Sequence, residues 1–127
     1  MINKGKILII DDEADLLETM RFRLDAAGYE VITAQDGLSG INKAKSENPD
    51  LIILDVMMPG IDGFQTLKQL KEEVSTKKIP AIIFSCGKEE EEWAKKSISL
   101  GASGYIVKPF EVESLLFTVE RFVKTSR

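Results

Sequence analysis

The sequence predicts an α/β fold, with five parallel strands in one doubly wound sheet and helices on both faces. Two observations carry this. Short apolar runs alternate five times with longer stretches of helical period, and strict alternation implies parallel strands joined by crossover helices. The runs beginning at Ile7, Leu51 and Ala81 are apolar throughout, as strands covered on both faces are.

The elements follow in order. Ile7 to Ile10 is the first strand and runs straight into acid. Glu13 to Ala27 places Leu16, Leu17, Met20, Leu24 and Ala27 at three- and four-residue spacing, and Gly28 stops this first helix. Tyr29 to Ala34 reads as a strand whose Glu30 and Thr33 suit a sheet edge. Asp36 to Glu47 is a helix closed by Asn48-Pro49. Leu51 to Leu54 is the third strand, ending at Asp55. Asp62 caps the next helix with Gln65 in the capping-box position, and Phe64, Leu67, Leu70 and Val74 line one face. Ala81 to Phe84 is a strand entered through Pro80, Glu89 to Leu100 a helix ended by Gly101, and Gly104 to Val107 the last strand. Val112 to Lys124 closes the chain as a helix with Leu115, Leu116, Val119, Phe122 and Val123 inward. By analogy with flavodoxin-like folds, the strand order is 2-1-3-4-5.

Composition narrows the classes of function. At 127 residues with no repeat and no linker-like stretch, one domain spans residues 1–127, its core about 5–124. No apolar run approaches the roughly 20 residues of a bilayer span, and the N-terminus lacks the pattern of a signal peptide. A single cysteine, Cys86, forms no internal disulfide and suits a reducing compartment. A cytoplasmic domain is therefore expected. A net charge of −4 argues against nucleic acid as a partner of this domain. The absence of histidine removes imidazole acid–base chemistry and His-ligated metals. Any metal here must be a hard, oxygen-loving ion such as Mg²⁺.

The polar residues that break the apolar runs define a site. Asp11 and Asp12 follow the first strand, Asp55 the third, Ser85 the fourth and Lys108 the fifth. In a parallel sheet these ends share one edge, and ligands bind outside it where the strand order reverses, between strands 1 and 3. Two carboxylates about 4 Å apart repel by roughly 4 kcal/mol at an effective dielectric near 20, so three require a cation. One lysine cannot neutralise three acids. A divalent ion, an ammonium and a hydroxyl are the parts that stabilise a transferring phosphoryl group. Asp55, alone on the middle strand, is the best-placed nucleophile.

These pieces resemble a receiver domain of two-component response regulators over nearly the whole length. They are Ile10-Asp11-Asp12, Asp55 through Gly63 (DVMMPGIDG), Phe84-Ser85, Gly101-Ala102, and Tyr105 through Phe110 (YIVKPF). The resemblance implies that Asp55 accepts a phosphoryl group from a histidine kinase phosphohistidine. It implies Mg²⁺ held by Asp12, Asp55 and the Met57 backbone carbonyl, with Asp11 assisting through water. Lys108 and Ser85 would contact the phosphoryl group, Ser85 and Tyr105 would form the switch, and Lys108-Pro109 would be a cis peptide. The output would be the face of the fourth helix, fifth strand and fifth helix, engaging a downstream protein or output domain, with room for a homodimer. The chain would catalyse only its own phosphorylation and dephosphorylation. Receivers usually reach the hydrolytic water from two positions, here Met57 and Gly87; neither side chain hydrogen-bonds water well, which implies a long-lived phosphorylated state.

Competing readings are weaker. An aspartate-nucleophile phosphatase needs a second acid two residues after the nucleophile, where this chain has Met57. A flavodoxin-like cofactor carrier needs phosphate-binding donors after the first strand, where Asp11-Asp12-Glu13 would repel phosphate. A degenerate receiver, binding partners without phosphorylation, would not need the full set of acids, lysine and hydroxyl. The acids Glu89 to Glu92 precede Lys95 and Lys96 and read as a solvated, dipole-stabilised helix. Trp93 on that helix is either core or partner contact. Cys86 reads as a packed thiol.

Overall fold

The computed structural model describes residues 3–86, 90–108 and 111–126. Its order is β1 Lys6–Ile10, α1 Ala14–Ala26, β2 Glu30–Ala34, α2 Gly37–Glu47, β3 Leu51–Asp55, α3 Gly63–Glu72, β4 Ala81–Cys86, α4 Glu90–Ser99, β5 Gly104–Lys108 and α5 Val112–Ser126. The five strands pair in parallel in the order β2-β1-β3-β4-β5. The expected fold is therefore the observed one, with β2 at an edge. β5 is the other edge, and its residues are only half-buried despite their apolar character.

Strand periodicity divides the core in two. Ile7, Ile9, Leu51, Ile53, Ile82 and Phe84 face α1 and α5, packing on Leu17, Met20, Leu24, Leu115, Val119 and Val123. Leu8, Ile10, Ile52, Leu54 and Ile83 face the opposite way, onto Ile41, Ala44, Phe64, Leu67 and Leu70 of α2 and α3. β1 and β3 sit between both layers, which is why their runs are apolar without interruption.

Local signals end the helices where sequence places them. Asp36 accepts from the Ser39 N–H at 2.8 Å at the start of α2, and Asn48 closes it in the left-handed conformation with φ 49°. Asp62 and Gln65 form the expected reciprocal capping box. One expectation is corrected. Val74 does not line the inner face of α3: the helix ends at Glu72, Glu73 is already extended, and Val74 is 81% exposed. Trp93 is partly buried and packs against the α2/α3 core, its ring meeting that of Phe64 edge to face at 5.8 Å. Lys95 pairs with Glu91 at 3.4 Å in an exposed i,i+4 bridge, whereas Lys96 lies 4.5 Å from the Phe64 ring centroid. The first residue expected for that helix, Glu89, lies outside the described residues, as do Gly87, Pro109 and the Cys86 side chain.

Candidate phosphoacceptor and metal site

The predicted residues meet at the C-terminal edge of the sheet. Alternation places Asp11, Asp55 and Lys108 on the α1/α5 face, in step with Ile9, Ile53 and Ile106. Asp11 continues β1, its N–H donating to Ala34 O at 3.0 Å, and its Oδ1 accepts from Glu13 N–H at 2.9 Å, which starts α1. Asp55 is the last residue of β3. Gly63 N–H donates to Val56 O at 2.8 Å, folding the start of α3 back onto the acidic strand end.

One carboxylate oxygen each from Asp11, Asp12 and Asp55 lies within 4.8 Å of the others. Asp11 and Asp55 are buried and Asp12 is exposed, so the cluster opens to solvent on one side. Lys108 Nζ stands 3.1 Å from Asp11 Oδ2 and 3.3 Å from Asp55 Oδ1. Burial pushes the Asp55 carboxyl up to about 6, reinforced by the negative charge of Asp11 and opposed by Lys108. Burial alone would weaken the Lys108 ammonium, but the Asp11 hydrogen bond and the Asp55 and Asp11 charges reverse this and raise it. The single ammonium leaves negative charge in excess. A hard divalent cation fits: the donors are all carboxylate oxygens, one side is open to water, and charge is what the cluster lacks.

Ser85 sits on the other face of the sheet, paired with Val107, and is fully buried. Its Oγ has no hydrogen-bond partner among the described residues. Tyr105 shares that face, half-buried against the α2/α3 core and opposite Ile83 in the β4–β5 register. The structure thus brings the acids and Lys108 into contact, and puts Ser85 and Tyr105 two positions apart in register on one face. Met57 is 61% exposed beside the site.

Two neighbours of Lys108 escape sequence reasoning. Glu13 Oε1 lies 3.7 Å from its Nζ at the exposed rim. The Phe84 ring centroid lies 4.6 Å from the same atom. Adjacency to Asp12 was a signal for the first; a parity count along β4 would have found the second.

Comparison with known proteins agrees with this geometry. The response regulator receiver domain model matches residues 7–120. The chain belongs to that family. It is 38% identical over 95% of its length to the alkaline phosphatase synthesis transcriptional regulatory protein PhoP of Bacillus subtilis, spanning 49% of that protein. It is 35% identical over 91% of its length to Protein PilH of Pseudomonas aeruginosa, spanning 94% of it. The chemotaxis protein CheY4 of Vibrio cholerae superposes with a TM-score of 0.86 at 35% identity, over 93% of this chain and 98% of that one. The chain thus spans about half of one of these relatives and nearly all of the others.

The domain is accordingly a Mg²⁺-binding phosphoacceptor of phosphorelay signalling. Among the described residues, no helix is long and apolar enough to cross a membrane.

Proposed function

We propose that Asp55 is the phosphoacceptor and that a histidine kinase phosphohistidine is the donor. The observation that carries this is the place of Asp55 on the central strand, 3.3 Å from the Lys108 ammonium and clustered with Asp11 and Asp12. An Asp55 carboxylate oxygen attacks phosphorus, the P–N bond breaks, the imidazole leaves and takes up a proton, and an acyl phosphate forms. Lys108 meets the charge on the transferring oxygens. The Ser85 hydroxyl, buried without a partner among the described residues at a cost of about 1–3 kcal/mol, gains one in the phosphoryl group.

Asp11, Asp12, Asp55 and the Met57 carbonyl would hold Mg²⁺, which supplies positive charge against the phosphoryl oxygens when bound. The whole chain acts as one domain, in the cytoplasm. Movement of Ser85 draws on Tyr105 and reshapes the face of α4, β5 and α5. That face engages a downstream protein, an output domain or a second copy of the chain.

Intact-mass measurement with a small phosphodonor tests the reading. One phosphoryl mass should appear with Mg²⁺, and none in EDTA or in Asp55→Asn. An equal gain in the variant, or none in the parent, overturns it.

A further inference from the structure

The C-terminal edge of the sheet places one aromatic ring among the charged groups. Phe84 pairs with Asp55 of β3 on one side and Ile106 of β5 on the other, so all three share a face. Lys108, two residues past Ile106, returns to that face. Its ammonium lies 4.6 Å from the Phe84 ring centroid, with Asp11 at 3.1 Å, Asp55 at 3.3 Å and Glu13 at 3.7 Å on its other sides.

An ammonium carries three N–H donors, and the two shortest contacts go to Asp11 and Asp55. The ring face supplies a further electrostatic contact, which strengthens as the cation is withdrawn from water. Here the Lys108 side chain is 14% exposed and Phe84 is fully buried, so both partners are largely dry. An aliphatic residue would fill similar space and offer the charge nothing. The four-carbon lysine stem would then be freer to swing toward Glu13, whose side chain is 66% exposed at the rim.

We propose that Phe84 is a positioning residue for phosphoryl transfer, its ring face seating the Lys108 ammonium between Asp11 and Asp55. The proposal rests on the reading of Asp55 as phosphoacceptor. Because the ammonium already stands 3.3 Å from Asp55 Oδ1, a phosphoryl group bonded to Asp55 reaches it while it stays over the ring. The ring therefore stabilises one lysine position before and after transfer, so little reorganisation is needed at the moment of reaction.

The test uses the full chain with Phe84 replaced by mono-, di- and trifluorophenylalanine, which progressively drains the negative ring face at nearly constant shape, and by leucine. In the metal-free protein, the Lys108 ε-methylene protons should resonate upfield of free lysine through the ring current and return in Phe84→Leu; Phe84→Met serves should the leucine variant not fold. With Mg²⁺, the affinity for beryllofluoride, a phosphoryl mimic, should fall stepwise along the fluorinated series, reaching about three- to tenfold for the trifluorinated ring. A lysine shift unchanged when the ring is removed overturns the seat. An affinity that stays level or tightens along the series overturns the positioning role. A parent with the shifted lysine that binds no beryllofluoride overturns the phosphoacceptor reading, and the positioning role falls with it.

Discussion

Gly63 lies flat against the carbonyl of Asp55. A Cβ added at Gly63 would overlap Asp55 O and stand 2.7 Å from Val56 Cα, closer than real contacts allow. The first turn of α3 is thus pressed onto the strand end that carries Asp55, and the contact is backbone to backbone. Neither side has a flexible tip that could yield.

Gly63→Ala should therefore act on the site and not only on stability. Overpacking of this kind costs about 1–3 kcal/mol, and the relief available is displacement of the Asp55 carbonyl. Chemical denaturation should show the loss, and phosphorylation of Asp55 should slow by at least tenfold while the fold survives. A variant that is destabilised yet phosphorylates at the parental rate would show that the site tolerates the shift.

The raised Asp55 carboxyl sets a pH dependence. With a folded value of about 6 against 3.8 for an ordinary aspartate, the native state holds the proton more tightly than the unfolded state. The stabilisation is complete below pH 4 and lost as pH rises through 6. In EDTA, Asp55→Asn should melt higher than the parent at pH 7, by an amount on the order of 1–2 kcal/mol. The difference should vanish toward pH 4. Mg²⁺ should stabilise the parent at pH 7.5, by about 1.4 kcal/mol at ten times its dissociation constant, and less at pH 5.5. Thermal melts of both proteins across pH, with and without Mg²⁺, provide the check.

Much of this site was legible in the sequence because of where strands end. Four apolar runs stop at a polar residue, and a parallel sheet brings those stops to one edge, so Asp11, Asp55, Ser85 and Lys108 were placed without coordinates. The capping residue Asp62 was equally plain, since its partner Gln65 lies three residues away. Val74 was misassigned because helical spacing continues past Glu72 while the backbone does not; an apolar residue in register is no proof of a helix. β5 has the apolar character of a central strand but lies half-buried at an edge, because composition reports tolerance for burial and strand order decides it. Phe84 and Glu13 went unnoticed as neighbours of Lys108 because a long lysine reaches across strands, and spacing along one chain carries no record of that reach.

A substitution at Ser85 should separate phosphorylation from its consequence. Its hydroxyl is buried without a hydrogen-bond partner among the described residues, so Ser85→Ala should leave the unphosphorylated protein as stable or slightly more stable. Asp55 should still be phosphorylated. A ligand shifts a conformational equilibrium only through contacts that differ between the states, and the variant lacks such a contact. Amide shift changes at Tyr105 on phosphorylation should fall by half or more. Identical changes in parent and variant would remove Ser85 from the coupling.

The lifetime of phospho-Asp55 turns on the side chains around the attacking water. Hydrolysis needs a water held in line behind phosphorus, and a hydrogen-bonding side chain raises the rate by fixing it there. Met57 is 61% exposed beside Asp55, and its thioether is a weak acceptor that cannot orient water. Gly87, which lies outside the described residues, has no side chain to offer. The expectation is a slowly hydrolysing phosphoprotein. The opposing effect is access, since a glycine removes obstruction as well as help. Met57→Asn combined with Gly87→Glu supplies two groups able to bind water, and should speed decay of phospho-Asp55 by about tenfold or more in excess Mg²⁺. Decay followed by intact mass distinguishes the two effects. A double variant that decays at the parental rate or more slowly would mean that access to the phosphorus, and not the positioning of water, sets the lifetime.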